Sequence, residues 1–465
     1  MLKNHGAQQK SESLFQRLEE IARPFHSRDA MDRTAAIWGT MNFADNSKAH
    51  VKTWILAAII FLTAVTFRWW ELGSIKEAIF DEAHYVPAAE VLVGIKEHPG
   101  MGLWASHPLI GKAPAPNFEH PLLGKFLIGY GLRIFEDPFW GARFFPALAG
   151  SLSLVLMVCL ALRFFGKPVP VLLALLFLGF DSMSMLHSRL AMLDIFLMTA
   201  LIGLLHSSWQ LIQNPESWST RISSAVWITA GLSSKWVFAF AILGFCWCLL
   251  TLGRGGLVKR FQNLVIVGCL SLALYHLWFI YYAAHGFSYG EWLEFHIAAN
   301  AVTTGKLAQH PYGATALSML GNSRNIWYYF KQLPGQMTVG LVGLLNPLLI
   351  FSALPALGLI FLHYRKKKQL QDIFILGWFA CCYLPFHLVL LERQGFLYYM
   401  LLLLPIIILA VIRMLEILSQ KMKLEVLAAG YASLFLAVSA FYMPVVLAFP
   451  MTRDYYLLLI RFTGV

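Results

Sequence analysis

The chain has 465 residues, 58% of them hydrophobic and only 13% charged, roughly half the charged share of an ordinary soluble domain. That balance excludes a soluble globular protein and a disordered one, and the recurring apolar runs point to a polytopic helical membrane protein. A net charge of +11 would suit nucleic acid if it formed a patch, but the basic residues fall in short clusters between apolar runs, as inner loops do.

Residues 1–52 are polar and mixed in charge, and are predicted to be a cytoplasmic N-terminal tail. An amphipathic stretch near Leu14 to Ala22 ends at Pro24. No cleavable leader pattern opens the chain, so the first span is expected to stay in the mature protein. That span runs from Thr53 to Trp70, with Trp69 and Trp70 where an aromatic belt would lie. The following stretch, 71–141, holds no full-length span. Its apolar pieces, Ala88 to Ile95 and Leu122 to Phe135, have the length of helices lying on the outer surface, and Pro99, Pro108, Pro114, Pro116 and Pro121 mark irregular chain between them.

Further spans are predicted at 142–162, 169–185, 192–212, 222–233, 236–253, 262–283, 338–362, 372–391, 397–417 and 426–449, about eleven in all. The expected architecture is therefore all-α: one transmembrane domain, 53–449, with outer-surface amphipathic helices, a second large outer loop at 284–336 and an outer C-terminal tail at 450–465. With the N-terminus inside, Arg163 with Lys167, Arg221, Arg254 with Lys259 and Arg260, Arg365 with Lys366 to Lys368, and Lys421 with Lys423 all fall on the cytoplasmic side. The six cysteines lie inside apolar runs and suit packing better than disulfides or zinc.

The polar residues with chemical potential gather on the outer side. Asp81 and Glu82 are adjacent carboxylates at the mouth of a span; they are either a tuned base or a solvated acidic pair. His84 suits a loop hydrogen bond better than a metal. Arg143 either snorkels or grips a lipid phosphate with its planar fork. Asp194 opens an apolar span and needs a partner; Arg189 is the nearest candidate, and a structural ion pair and a second catalytic acid are both open. Lys235, in Ser234-Lys235-Trp236, and Arg393 are further outer cations suited to phosphate or to snorkelling. His296, His310 and the aromatic residues of 284–336 suit an interfacial belt, sugar stacking or a peptide groove.

These residues together resemble a known family. Asp81-Glu82 with His84, His120-Pro121-Leu122-Leu123-Gly124-Lys125, Arg189 with Leu193-Asp194, Ser234-Lys235-Trp236, His310-Pro311-Tyr312, Asn346-Pro347, and the stretch Arg393 to Pro405 with Phe396, Tyr398 and Tyr399 resemble the protein O-mannosyltransferases. These are membrane glycosyltransferases of the C-type fold, and the compact form here is similar to the bacterial members. The resemblance implies an enzyme that moves mannose from a polyprenyl-phosphate carrier to Ser or Thr hydroxyls of proteins, with inversion at the anomeric carbon. It implies that Asp81 is the base and that Glu82 helps to bind the acceptor or orient Asp81. Arg143, with Lys235 and Arg393, would hold the donor phosphate, and His84, His120, Lys125, Arg189, Asp194 and His310 would support the site.

The implied partners are a lipid-linked sugar, a protein acceptor and the bilayer, with no nucleic acid. The implied location is the plasma (inner) membrane, with the site on the extracytoplasmic side. No metal ligand set is assigned, and a divalent ion is left open. Two rival readings are a related transferase acting on lipid A or another glycolipid, and a transporter or flippase. Against the latter, the polar residues cluster on one side, and no internal repeat is visible.

Overall fold

The computed structural model describes residues 48–98, 108–303 and 310–463; the predicted stretch Leu14 to Ala22 and Pro99 lie outside them. The chain is mostly helical. Among the described residues seven helices are long and apolar enough to cross a membrane, or eight if one bent pair counts as a span. The protein is a multi-pass membrane protein.

Helix α1 (Lys48–Trp69) opens the described chain and presents Ile55, Leu56, Ile59 and Leu62 outward. After it come the short helices α2 (Glu82–Leu92) and α3 (Leu123–Ile134); α3 coincides with the apolar piece Leu122 to Phe135, and α2 starts six residues before the piece Ala88 to Ile95. Helix α4 (Pro138–Phe165) starts where Asp137 Oδ1 accepts from the Phe139 and Trp140 amides, with Pro138 in the first turn, and stops at Gly166 in the left-handed region. Then follow α5 (Pro168–Phe180), α6 (Ser182–Ser188), α7 (Asp194–Gln213), α8 (Trp218–Leu232), α9 (Ala239–Leu252), α10 (Leu257–Ala284) and α11 (Tyr289–Thr303). Helix α7 is the hub: 89% of its apolar window is buried, against 11% for α10 at the periphery.

Helices α5 and α6 form the bent pair, broken by 60° at Asp181. A break inside a membrane strands carbonyls that need donors. Arg68, fully buried on α1, donates to Gly179 O at 2.8 Å and Leu178 O at 3.0 Å. Asp181 caps α6 through the Ser184 amide at 2.9 Å and accepts the Asn346 amide at 2.9 Å. The bend is therefore held from two distant parts of the chain.

Helices α3 and α4 touch through glycine. A methyl group on Gly131 would lie 2.1 Å from Gly141 O, and one on Gly141 would lie 2.7 Å from Gly131 O. The obstacle is backbone, which cannot rotate away. Gly131→Ala is expected to destabilise the protein by about 1–3 kcal/mol, seen as a lower thermal midpoint in detergent, while Gly268→Ala, inside α10 where a methyl group meets nothing within 4 Å, should hold or raise the midpoint.

The helical architecture is as expected, with a small three-stranded sheet added, and the predicted span 338–362 needs correction at its start. Residues Met337–Gly343 form β2, paired antiparallel with β1 (Ile326–Leu333), and β2 also pairs with β3 (Met451–Thr452). The apolar run Met-Thr-Val-Gly-Leu-Val-Gly matches a span in hydropathy, but its glycines disfavour helix and its β-branched residues favour strand. The helix that follows, α12 (Pro347–Lys367), begins only where Asn346 Oδ1 caps the Leu348 amide. Beyond it lie α13 (Leu370–Tyr383), α14 (Leu404–Leu418), α15 (Leu424–Leu447) and the amphipathic α16 (Arg453–Thr463). Three more predicted spans hold helices shorter than about 18 residues, α8, α9 and α14, whereas α13 reaches span length only with the short helix that follows it, Leu370–Val389.

Candidate active site

The chain turns sharply at Phe80, whose φ of 52° is left-handed, and enters α2 with Asp81 and Glu82 aimed into different surroundings. Glu82 is buried. Its Oε1 accepts from Arg143 Nε at 2.9 Å and from the Ala191 amide at 2.7 Å; its Oε2 accepts from Arg143 Nη2 at 2.8 Å and from the Ile79 amide at 2.9 Å. Arg143 gives its other N–H groups to the Leu72, Ile75 and Glu77 carbonyls at 3.0–3.2 Å. A guanidinium has five N–H donors, and all are engaged with the protein. Arg143 thus clasps the first loop to α4 and, through Glu82, to the turn before α7.

Asp81 faces the other way. Tyr85 and Tyr398 donate their hydroxyls to its Oδ2 at 3.3 and 3.4 Å. Lys235 is the nearby cation. Its ammonium holds both carboxylate oxygens of Asp194 at 2.9 Å and lies 4.8 Å and 5.2 Å from the ring centroids of Tyr398 and Tyr399. So the partner of Asp194 is Lys235. Arg189, the candidate suggested by sequence proximity, instead gives Nη1 to the Phe67 and Trp70 carbonyls at 2.7 and 2.5 Å, capping the end of α1. Helix geometry decides this outcome: α6 ends at Ser188, which turns Arg189 back toward α1, while Asp194 starts α7 and faces the α8–α9 connection.

Backbone contacts bring the sequence motifs together. The Leu123 amide donates to Ser233 O at 2.9 Å, and Gly124 packs so tightly on Leu193 that a methyl group would sit 2.6 Å from its side chain. Buried Lys125 donates to His120 O at 2.7 Å and also to Asn117 O, so it pins the loop that carries His120. Burial pushes the Lys125 ammonium down to about 7, with Glu119 opposing. His120 lies against the Tyr85 ring at 5.8 Å. Burial, then the charges of Lys235, Lys125 and Arg393, push its imidazole well below the usual histidine range, which keeps it neutral. His84 is exposed on α2 and acts on Asp81 through charge. Arg393 is half-buried near His120 and Tyr399. His310 is exposed; its amide donates to Gln394 at 3.1 Å, and its ring meets Phe396 at 5.2 Å.

Burial raises the Asp81 carboxyl above the usual range; Lys235, His84 and the two tyrosine hydroxyls offset part of that rise. The two adjacent carboxylates, read from the sequence as a tuned base or a solvated pair, are separated in the structure: Glu82 is neutralised by Arg143, and Asp81 is held by Tyr85 and Tyr398. His187, given no role from the sequence, and Tyr328, one of the outer-loop aromatics, also line this region: His187 Nε2 and the Tyr328 hydroxyl are 2.8 Å apart, and Tyr328 packs edge-on against Phe80 at 4.7 Å. Among the described residues no group of three or more His, Cys, Asp or Glu side chains is placed to hold a metal ion.

The arrangement, a raised carboxylate beside a caged ammonium, suits proton removal next to a departing anion. Residues 58–250 match the family model described as dolichyl-phosphate-mannose-protein mannosyltransferase. This part of the chain is similar to the protein O-mannosyltransferases. It is 33% identical over 154 residues to a polyprenol-phosphate-mannose–protein mannosyltransferase of Mycobacterium tuberculosis, covering 32% of this chain and 27% of that one. With the Mycolicibacterium smegmatis protein of the same name it is 25% identical over 311 residues, 59% of this chain and 56% of the other. It therefore spans between about a quarter and about half of the length of these curated relatives. In fold it matches the Saccharomyces cerevisiae protein O-mannosyltransferase Pmt1-Pmt2 complex bound to the sugar donor, with a TM-score of 0.70 at 12% identity over 87% of this chain and 91% of the other. Cupriavidus metallidurans ArnT bound to undecaprenyl phosphate gives a TM-score of 0.55 at 14% identity over 88% and 76%. The fold is that of the C-type membrane glycosyltransferases.

Proposed function

We propose that this protein transfers mannose from a polyprenyl-phosphate carrier to Ser or Thr hydroxyls of a protein acceptor, with Asp81 as the base and inversion at the anomeric carbon. The observation that carries the reading is the setting of Asp81: a carboxylate raised by burial, facing the Lys235–Asp194 pair, within a region whose sequence matches a mannosyltransferase family. In the reaction the acceptor oxygen forms a bond to the anomeric carbon as its O–H bond breaks. The proton passes to Asp81, and the bond from the anomeric carbon to the phosphate oxygen breaks, with the electron pair leaving on the lipid phosphate. Lys235, steered by Asp194 and two aromatic rings, and Arg393 balance that charge. Glu82 and Arg143 hold the loop that presents Asp81 and take no part in the chemistry. The short basic clusters support a cytoplasmic N-terminus, an extracytoplasmic site and residence in the plasma (inner) membrane.

The test is transfer from polyprenyl-phosphate mannose to a Ser/Thr-containing peptide by the purified chain in liposomes. Transfer is expected, and Lys235→Ala should weaken donor binding by about 10- to 100-fold, corresponding to the loss of one charge-assisted contact. A folded wild-type protein that glycosylates lipid A or another glycolipid and no peptide would overturn the protein-acceptor reading.

A further inference from the structure

Asp81 has two carboxylate oxygens in unequal surroundings. Tyr85, one helical turn along α2, and Tyr398, in the 3-10 turn before α14, both donate to Oδ2. Among the described residues nothing donates to Oδ1, and it is not among the buried polar atoms that lack a partner, so on this half-buried residue it is the oxygen left accessible. The tyrosines are themselves held firmly. Tyr398 is stacked on Phe396 with ring planes 7° apart and meets His187 at 5.5 Å; Tyr85 is buried beside His120. We infer that Tyr85 and Tyr398 are positioning residues that tether Asp81 by Oδ2, so that Oδ1 is the atom that receives the acceptor's proton.

This inference rests on the assignment of Asp81 as base and adds which atom works and what holds it. At 3.3 and 3.4 Å the two hydrogen bonds are long for O–H···O contacts, as catalytic contacts commonly are before substrate arrives. A carboxylate held by one oxygen keeps its plane fixed, with the lone pairs of the other aimed at the incoming hydroxyl. The remaining groups around Asp81 do not substitute for this tether. His84 on α2 and Lys235 ahead of α9 act on it through charge. Asp194 on α7 is occupied by Lys235, and Tyr328 on β1 is directed to His187. Tyr399 packs near the Lys235 ammonium.

The experiment is the pH dependence of kcat for Tyr85→Phe and Tyr398→Phe in the full chain in liposomes, with polyprenyl-phosphate mannose and a Ser/Thr peptide. Donor binding is measured in parallel. Both hydroxyls stabilise the ionised form of Asp81, so removing either should move the acid limb of the profile to higher pH. The loss should be about 3- to 10-fold below the limb, with recovery to within about twofold of wild type above it and donor affinity unchanged. Loss that is uniform across pH in both variants overturns the inference and makes the tyrosines packing residues. An Asp81→Asn variant assayed beside them separates the two levels. If it is inactive while the tyrosine variants keep the wild-type limb, the tether alone fails; if it turns over normally, the base assignment fails as well.

Discussion

Replacing Asp81 with Asn should lower turnover by about 10²- to 10⁴-fold, the usual contribution of a general base, while leaving donor binding intact. Asn keeps the shape and can still accept from Tyr85 and Tyr398, but it takes no proton at working pH. The wild-type rate should fall as pH falls through a midpoint above the ordinary aspartate value of about 3.9, because burial raises this carboxyl and only the ionised form is a base. The sign for stability is opposite. A carboxyl whose folded pKa is raised favours the folded state below its unfolded pKa, and that contribution is lost as pH rises through the folded value. At neutral pH the charged group is therefore a burden, and Asp81→Asn should melt no lower than wild type. A variant that is inactive and at least as stable identifies a group kept for chemistry; one that is inactive and clearly less stable would argue for a structural role.

Arg143→Met should do the reverse. It strands Glu82, buried to 2% exposure, and frees the carbonyls of Leu72, Ile75 and Glu77. Breaking a buried pair from one side costs about 3–5 kcal/mol, enough to lower the thermal midpoint sharply and reduce the yield of folded protein. The double variant Glu82→Gln with Arg143→Met removes both charges, so it should recover part of that loss. If instead Arg143→Met keeps the wild-type midpoint and weakens only donor binding, Arg143 holds phosphate as its sequence position first suggested.

These two residues show what the sequence could convey. Asp81, Lys235 and Asp194 were legible because charged side chains at the ends of apolar runs demand partners, and the motifs carrying them are widely spaced along the chain. Their pairing was not legible. Arg189 is the partner that sequence proximity suggests for Asp194, and Lys235 emerges only once the direction of the turn after Ser188 is known, which no local pattern encodes. Arg143 looked like an outward cation, since its clasp is built mostly from backbone carbonyls that any residue could supply. The fold divides in the same way. Long helices such as α4 and α10 announce themselves by hydropathy, whereas β2 borrows the apolar character of a span and is exposed only by pairing with β1, which lies in another predicted region.

The break at Asp181 has a consequence for depth. At 1.5 Å per residue, the 13 residues of α5 rise about 20 Å, and the seven of α6, inclined at 60°, add about 5 Å. The hydrocarbon core is about 30 Å thick, so under the proposed topology a span of this shape would leave the turn before Asp194, and with it the proposed site, below the far face of the membrane. A lipid-borne sugar then needs little lifting out of the bilayer. Under the proposed function a polypeptide acceptor would have to descend to meet it, which favours an extended or unfolded segment over a serine on a rigid folded face.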